Sequence, residues 1–278
     1  SDTMTIDAHF HCWQLSRGDY GWLTPALAPI YRDVAVEDWL AQAQPLGVQG
    51  GVVVQAAATE AETHFLLQQA DAHASVLGVV GWVDLLAPDA VERITALAQH
   101  PKLKGLRPML QDIADPDWIL QDALTPALQT MQQCGLVFDA LVKPLHLPRI
   151  LALAQRHPGL AMVIDHAAKP DIAAGQWQPW ADDLAHIATQ TSAVCKLSGV
   201  LAEAGPQPSP GAAQRWCEHV LKSFGPQRVL WGSDWPVLEL ASDYTRWWQD
   251  VQVVLQNLSD AERAAVLGGN AQRVYRLG

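Results

Sequence analysis

The chain has 278 residues, of which 49% are hydrophobic and 17% are charged, and this length and composition predict one large domain with a substantial core. The net charge of −11 opposes nucleic acid and anionic membranes as partners, and no run of about 18 apolar residues predicts a transmembrane helix. Four scattered cysteines without a CxxC spacing, together with the lack of a basic-then-apolar leader, favour reduced thiols and a cytoplasmic location.

Short apolar, β-branched segments alternate with amphipathic segments along the chain. The predicted strands are Thr5–His9, Gly51–Ala56, Val76–Val83, Leu103–Pro108, Leu136–Leu141, Leu160–His166, Ala193–Gly199 and Arg228–Asp234. The predicted helices are Val36–Gln44, Glu60–Ala74, Pro88–Gln99, Asp122–Cys134, His146–Arg156, Trp180–Gln190, Gly211–Phe224 and Tyr244–Leu258.

This alternation implies parallel strands joined by right-handed crossovers. Eight such units predict a single (β/α)8 TIM-type barrel over residues 1–278, with a C-terminal helical tail at 259–266 and 270–277. A doubly wound open sheet is the alternative. No GxGxxG or GxxxxGK follows a predicted strand, so dinucleotide and P-loop functions lack support.

Polar side chains stand where the predicted strands stop. In chain order they are His9 and His11, Gln55, Asp84, Arg107, Asp139, His166, Lys196 and Asp234. In a barrel these ends converge on one mouth. Histidines, an arginine and a carboxylate brought together there suit hydrolysis, which needs a base for water and donors for the developing oxyanion.

Each of these residues also has a purely structural interpretation. The histidines of "HFH" share one face of an extended segment, but they could instead cap a turn. Asp234 could form an Asx turn, and His166 could be a satisfied buried histidine. Arg107 and Lys196 could be ion-pair partners. Asp165, next to His166, is expected to face the other way and to make structural hydrogen bonds.

Twelve tryptophans is a high count, and four of them adjoin polar motifs: Trp13, Trp82, Trp231 and Trp235. An apolar ring beside polar groups suits a sugar-like ligand, which has CH faces as well as hydroxyls. A small carbohydrate is therefore the expected ligand class.

Seven motifs over nearly the whole chain carry a family resemblance: "DAHFHCW", "GVVGWVDL", "LKGLRP", "VIDHAAKP", "CKLSG", "FGPQRVLWGSDWP" and "GGNAQRVYRL". Together they resemble the amidohydrolase superfamily in its metal-independent lactonase branch. That branch includes 2-pyrone-4,6-dicarboxylate lactonases and sugar lactonases, and the pattern is most similar to the L-fuconolactone and L-rhamnonolactone hydrolases. The motifs are specific for the branch and much less so for the substrate.

The resemblance implies hydrolysis of a sugar lactone, most readily L-fuconolactone, to the open-chain acid. It makes Asp234 the general base on water, lets His166 polarise the carbonyl, and has Arg107 hold the carbonyl or a hydroxyl. It places His9 and His11 in the same pocket. The expected substrate contacts are Trp13 and Trp235 as walls, with Gln55, Asp84, Asp139 and Lys196 as further candidates.

Metal-dependent members of the superfamily carry more ligands than this chain offers. The fourth strand has Arg107 and the fifth has no histidine, so a binuclear centre is not expected. A mononuclear zinc on His9, His11, His166 and Asp234 stays open, because these side chains suit zinc, but no cofactor is expected to be required. A metal-dependent decarboxylase on the same scaffold and a catalytically silent carbohydrate-binding barrel are the competing functions. The sequence leaves the sugar, the ring size and the oligomeric state open.

Overall fold

The computed structural model describes residues 3–278, so the first two residues of the expected 1–278 domain lie outside the described part. Its centre is a sheet of eight parallel strands in chain order. The strands are β1 (Ile6–Phe10), β2 (Gly50–Val54), β3 (Val76–Gly81), β4 (Leu103–Leu106), β5 (Val137–Ala140), β6 (Met162–Ile164), β7 (Val194–Leu197) and β8 (Val229–Trp231).

Helices surround this sheet and connect successive strands. They are α1 (Val36–Ala43), α2 (Glu60–Ala72), α3 (Ala90–Leu97), α4 (Thr125–Gln133), α5 (Leu147–Arg156), α6 (Trp180–Gln190), α7 (Val200–Glu203), α8 (Gln214–Phe224), α9 (Tyr244–Val254), α10 (Asp260–Ala264) and α11 (Asn270–Val274). The short α7 lies where no helix was expected. Among residues 3–278, no helix is long and apolar enough to cross a membrane.

The barrel closes where the ends of β1 and β8 meet. The Asp234 N–H donates to the His9 carbonyl at 2.8 Å, and the His11 N–H donates to the Trp235 carbonyl at 2.9 Å. A side chain at Gly232 could not fit here, because its Cβ would lie 2.9 Å from the Cβ of His9. The (β/α)8 barrel is thus confirmed, since the first and last strands of an open sheet would lie apart.

Apolar side chains from all the strands but β4 fill the lower part of the barrel. They are mostly β-branched, which suits the crowded inner surface of parallel strands: Ile6, Ala8, Val52, Val54, Val80, Val137, Val163, Val194 and Leu230. The outer surface packs on the helices. There the ring of Phe10 stacks on Trp39 of α1, with centroids 3.9 Å apart.

The helical tail seals the end of the barrel where the strands begin. Tyr275, Leu277 and Ala271 pack into the inner apolar cluster. Lys104, near the start of β4, donates to the carbonyl of Arg276 at 3.0 Å. The polar residues predicted for the site lie at or near the opposite end of the barrel, where the strands stop.

Candidate active site

A cavity of about 260 Å³ lies at the mouth formed by the strand ends. Its polar lining includes His11, Arg107, His166, Lys169 and Asp234. Its apolar lining is formed by Trp22, Leu27, Ala56, Met109, Leu141, Val237 and Leu240. The volume is near the lower end of ligand sites, roughly 300–1,000 Å³, so it suits one small ring rather than an oligosaccharide.

The carboxylate of Asp234 stands among three imidazoles. Its Oδ1 lies 3.2 Å from Nε2 of His11, 3.6 Å from Nε2 of His9 and 3.8 Å from Nε2 of His166. Burial by itself would raise the pKa of Asp234, but His166 and then His11 outweigh burial and hold the pKa below its usual value. Asp234 is therefore ionised at neutral pH, as a base must be.

Left-handed backbone presents both Asp234 and His166 to the cavity. Asp234 has φ 55°, and four consecutive residues from His166 to Lys169 have φ between 51° and 62°. Such conformations of non-glycine residues cost roughly 1–3 kcal/mol each and cluster at functional sites. Gly199 has φ 65°, and a Cβ there would lie 2.7 Å from Cγ of His166, so only glycine lets the imidazole sit in place.

The imidazole of His166 is neutral. Its Nδ1 lies 2.8 Å from the hydroxyl of Ser198, which follows β7. Burial lowers the pKa of His166 to about 4, although Asp234 and Asp165 oppose this shift. His166 can therefore donate or accept a hydrogen bond at the mouth, but it brings no positive charge in the resting state.

The carboxylate of Asp7 and a shift in strand register orient the segment that carries the two histidines. Asp7 faces outward, where its carboxylate accepts hydrogen bonds from Trp39, Tyr244 and Ser233 at 3.0, 2.8 and 2.6 Å. The register of β1 against β2 shifts between Asp7 and Phe10, and this shift turns His9 into the barrel. Asp7 thereby links β1 to the segment that carries Asp234.

His11 is fixed through the next strand. Its Nδ1–H donates to the carbonyl of Val54 at 2.8 Å, because a carbonyl can only accept. Its Nε2 faces Oδ1 of Asp234 at 3.2 Å, within hydrogen-bond distance. His11 therefore lies between the backbone of β2 and the carboxylate of Asp234.

Arg107 is held by residues on both sides. Its Nη2 donates to the Gln55 carbonyl at 2.6 Å, its Nε donates to the Gln55 side chain, and its Nη1 donates to Asp165 at 3.2 Å. Of the five N–H donors of the guanidinium, two find no protein acceptor among residues 3–278. Arg107 therefore offers fixed donors at the wall of the cavity.

A buried charge cluster forms the floor beneath these residues. Nζ of Lys196 lies 2.8 Å from Asp139, 3.1 Å from Nδ1 of His9 and 3.3 Å from Asp165. Burial would raise the pKa of Asp165, but Lys196 and Arg107 together lower it to about 2. Asp165 does not face away from the site as the alternation suggested, because the strand ends at Ile164 and the backbone then turns.

The structure does not bring the predicted catalytic residue His9 or all of the expected substrate contacts to the cavity lining. His9, Gln55, Asp139 and Lys196 are fully buried beneath or behind its lining. Asp84 is exposed, caps the backbone of Leu86 and lines a neighbouring pocket. It points away because β3 already ends at Gly81.

Trp13 and Trp235 do not line the cavity, which corrects the expectation that they wall it. Both are buried, and their indoles donate to the carbonyl of Arg32 and to Glu239. Trp22 lines the cavity instead, 39% exposed and held by a 2.7 Å hydrogen bond to the Ala56 carbonyl. Trp22 lies in the long loop after β1, where no periodicity points to it.

Lys169 is a further cavity residue that strand-end reasoning did not identify. It lies three residues after His166, at the end of the left-handed turn, and it is half-buried. Burial lowers the pKa of Lys169, while the nearby Asp234 and Glu203 oppose the shift. The motif "VIDHAAKP" contains this lysine, but only the turn geometry brings it to the mouth.

The fold and the site define a barrel hydrolase whose acid–base groups sit at the strand ends. A model of the amidohydrolase family matches residues 6–277, and the chain belongs to this family. It is 45% identical over 280 residues to the L-fucono-1,5-lactonase of Burkholderia ambifaria, covering 99% of this chain and 96% of that protein. It is 36% identical to the L-fucono-1,5-lactonase of Burkholderia multivorans, with the same coverage.

A solved amidohydrolase structure from Burkholderia multivorans with bound zinc has a TM-score of 0.92 to this chain. The two are 35% identical, and the match covers 99% of this chain and all of the other. In the present structure, two sets of three side chains are close enough to surround a metal ion: His9, His11 and Asp234, and His9, Asp165 and His166. Their donor types are ones that zinc accepts.

Proposed function

We propose that this protein hydrolyses a neutral aldonolactone, L-fucono-1,5-lactone before others, to the open-chain sugar acid. The observation that carries the proposal is the ionised Asp234 among three histidines in a small cavity, in a chain 45% identical to an L-fucono-1,5-lactonase. Trp22 and the apolar lining suit the CH face of a deoxy sugar ring, and Arg107 suits its carbonyl oxygen.

In the proposed first step, Asp234 takes a proton from a water molecule while the water oxygen attacks the lactone carbonyl. The carbonyl oxygen becomes an oxyanion, which the free N–H groups of Arg107 and a donor from His166 stabilise. An ester carbonyl of a lactone is already reactive, so one base and a few fixed donors meet the chemical need.

In the second step, the tetrahedral intermediate collapses and the bond from the carbonyl carbon to the ring oxygen breaks. The proton that Asp234 received passes to the ring oxygen, directly or through His11, whose Nε2 lies 3.2 Å from Asp234. The product acid then loses its proton to solvent water, and the ammonium of Lys169 attracts the resulting carboxylate until the product leaves.

We propose further that no metal cofactor is required. Arg107 and Lys169 already place two positive charges at the cavity, where a Lewis acid would otherwise polarise the carbonyl. The cytoplasm is the proposed location, since all four cysteines are unpaired and three of them are buried.

A panel of lactones tests the function. L-Fucono-1,5-lactone, its C-4 epimer and the 1,4-lactone are compared by proton release to a pH indicator, with the spontaneous rate subtracted. We expect the largest kcat/KM for L-fucono-1,5-lactone, and no turnover above the spontaneous rate for any aldonolactone would refute the proposal. Release of carbon dioxide from a hydroxybenzoic acid is measured in parallel, since that activity would indicate a decarboxylase.

A further inference from the structure

The two histidines of "HFH" are held from opposite sides by different kinds of partner. Nδ1 of His11 faces a backbone carbonyl, that of Val54 at 2.8 Å. Nδ1 of His9 faces the ammonium of Lys196 at 3.1 Å. A carbonyl only accepts hydrogen bonds and an ammonium only donates them. These contacts therefore place a proton on Nδ1 of His11 and a lone pair on Nδ1 of His9.

The ammonium of Lys196 lies among three acceptor groups. It has three N–H groups, and three acceptors surround it: Asp139 at 2.8 Å, His9 at 3.1 Å and Asp165 at 3.3 Å. Two of these acceptors belong to aspartate side chains, to which the lysine can only donate. Lys196 therefore has no lone pair to offer, and Nδ1 of His9 must carry one.

It follows that the proton of His9 sits on Nε2. This atom is buried and finds no hydrogen-bond partner among residues 3–278. It faces Oδ1 of Asp234 at 3.6 Å. An N–H in this place adds positive potential beside the carboxylate, whereas a lone pair would add negative potential.

We propose that Lys196 holds His9 as the Nε2–H tautomer and thereby keeps the "HFH" pair from serving as a metal-binding pair. A metal-bound histidine needs a lone pair on the ligating nitrogen, and its other nitrogen ordinarily donates to a carbonyl or carboxylate. His11 meets that requirement and His9 does not. Both sets of three side chains that are close enough to surround an ion contain His9. Its Nε2, which faces Asp234, carries the proton, and the lone pair of its Nδ1, which faces Asp165 at 3.8 Å, already accepts from Lys196. Neither set therefore fits a metal while Lys196 holds His9 in this tautomer.

The C-terminal tail anchors Lys196 from below. The hydroxyl of Tyr275 donates to Asp139 at 2.7 Å, and the tyrosine ring lies 5.3 Å from Nζ of Lys196. Asp139 thus receives one hydrogen bond from the tail and one from the lysine. This places Lys196 as a positioning residue that acts through His9. The inference concerns ring protonation and does not depend on which lactone is the substrate.

The wild-type protein gives the first test. Long-range proton–nitrogen NMR of the ¹⁵N-labelled enzyme near pH 7.5 distinguishes a protonated from an unprotonated ring nitrogen for each of the ten histidines. The signals that disappear in His9→Gln and in His11→Gln assign the two rings. We expect protonated Nε2 in His9 and protonated Nδ1 in His11. Protonated Nδ1 in His9 would overturn the proposal, whether or not any lysine variant folds.

Zinc affinity gives the second test, with Zn²⁺ as the probe and a chromophoric chelator as competitor. Lys196→Met removes the donor that faces His9. Lys169→Met removes the same charge from the cavity without touching His9, and it is the matched control. Changing the partner of a metal-bound histidine alters affinity by about 10–100-fold, so Lys196→Met should bind zinc at least about tenfold more tightly than the control. Equal zinc affinities in the two variants would contradict the proposed role of Lys196.

Discussion

Replacing Asp234 by asparagine removes the basic carboxylate and keeps the size and shape of the side chain. Asparagine tolerates left-handed backbone at least as well as aspartate, so φ 55° at this position survives the change. The backbone hydrogen bond from residue 234 to the His9 carbonyl also remains. The fold should therefore persist, with a melting temperature within a few degrees of wild type.

The catalytic loss follows from the chemistry that disappears. Loss of a general base typically reduces rates by about 10²–10⁴-fold, which corresponds to roughly 3–5 kcal/mol of activation free energy. No backbone N–H among residues 3–278 donates to the Asp234 carboxylate, so the substitution breaks no hydrogen bond that caps a turn. KM should change little, because the water rather than the sugar is affected.

The assay is lactone hydrolysis followed by a pH indicator, with circular dichroism to confirm folding. Asp84→Asn is the matched control, since Asp84 is exposed, lies outside the cavity and undergoes the same substitution. We expect the control to keep wild-type kcat. A folded Asp234→Asn enzyme with kcat within threefold of wild type would show that Asp234 is not the general base. His11 would then be the candidate base.

Three further expectations concern metal, substrate charge and pH. Dialysis against EDTA should leave most of the activity, whereas near-complete loss restored by zinc would show that a metal is required. Phosphorylated lactones should have lower kcat/KM than neutral ones, because a cavity of about 260 Å³ suits one small ring and leaves little space for a phosphate group; a phosphorylated lactone that outperforms its neutral parent would contradict this. Burial raises the pKa of Glu62 from 4.5 to about 7, so the folded state binds its proton more tightly than the unfolded state. Its contribution, about 3 kcal/mol at 1.36 kcal/mol per unit, is present below pH 4.5 and lost as pH rises through 7. Urea midpoints of wild type relative to Glu62→Gln should fall between pH 5 and 8, and a constant difference would count against this.

The architecture was largely readable from the sequence. Each predicted strand overlaps an observed one, because parallel strands buried on both faces are continuous apolar runs. The predicted ends of the strands were less accurate. The segment Leu160–His166 was predicted as one strand, but only Met162–Ile164 is extended. The sequence shows the apolar run, whereas the left-handed turn that ends it depends on contacts with β7 and on Gly199.

The sequence predicted four cavity residues from their places within three residues of a strand end. His11, Arg107, His166 and Asp234 meet at the cavity for this reason. Residues that reach the cavity from loops were not predictable, because loop positions have no periodicity. Trp22 is the example.

The meaning of "HFH" depends on residues far from it in the chain. The two histidines are alike in sequence, one residue apart and buried in the same mouth. The carbonyl of Val54 on β2 keeps the proton on Nδ1 of His11, whereas Lys196 on β7 keeps Nδ1 of His9 unprotonated and leaves the proton on Nε2. A motif of two histidines therefore indicates a site but not its chemistry. The groups opposite the Nδ1 atoms decide between a metal-binding pair and a donor–acceptor pair around Asp234, and those groups lie on other strands.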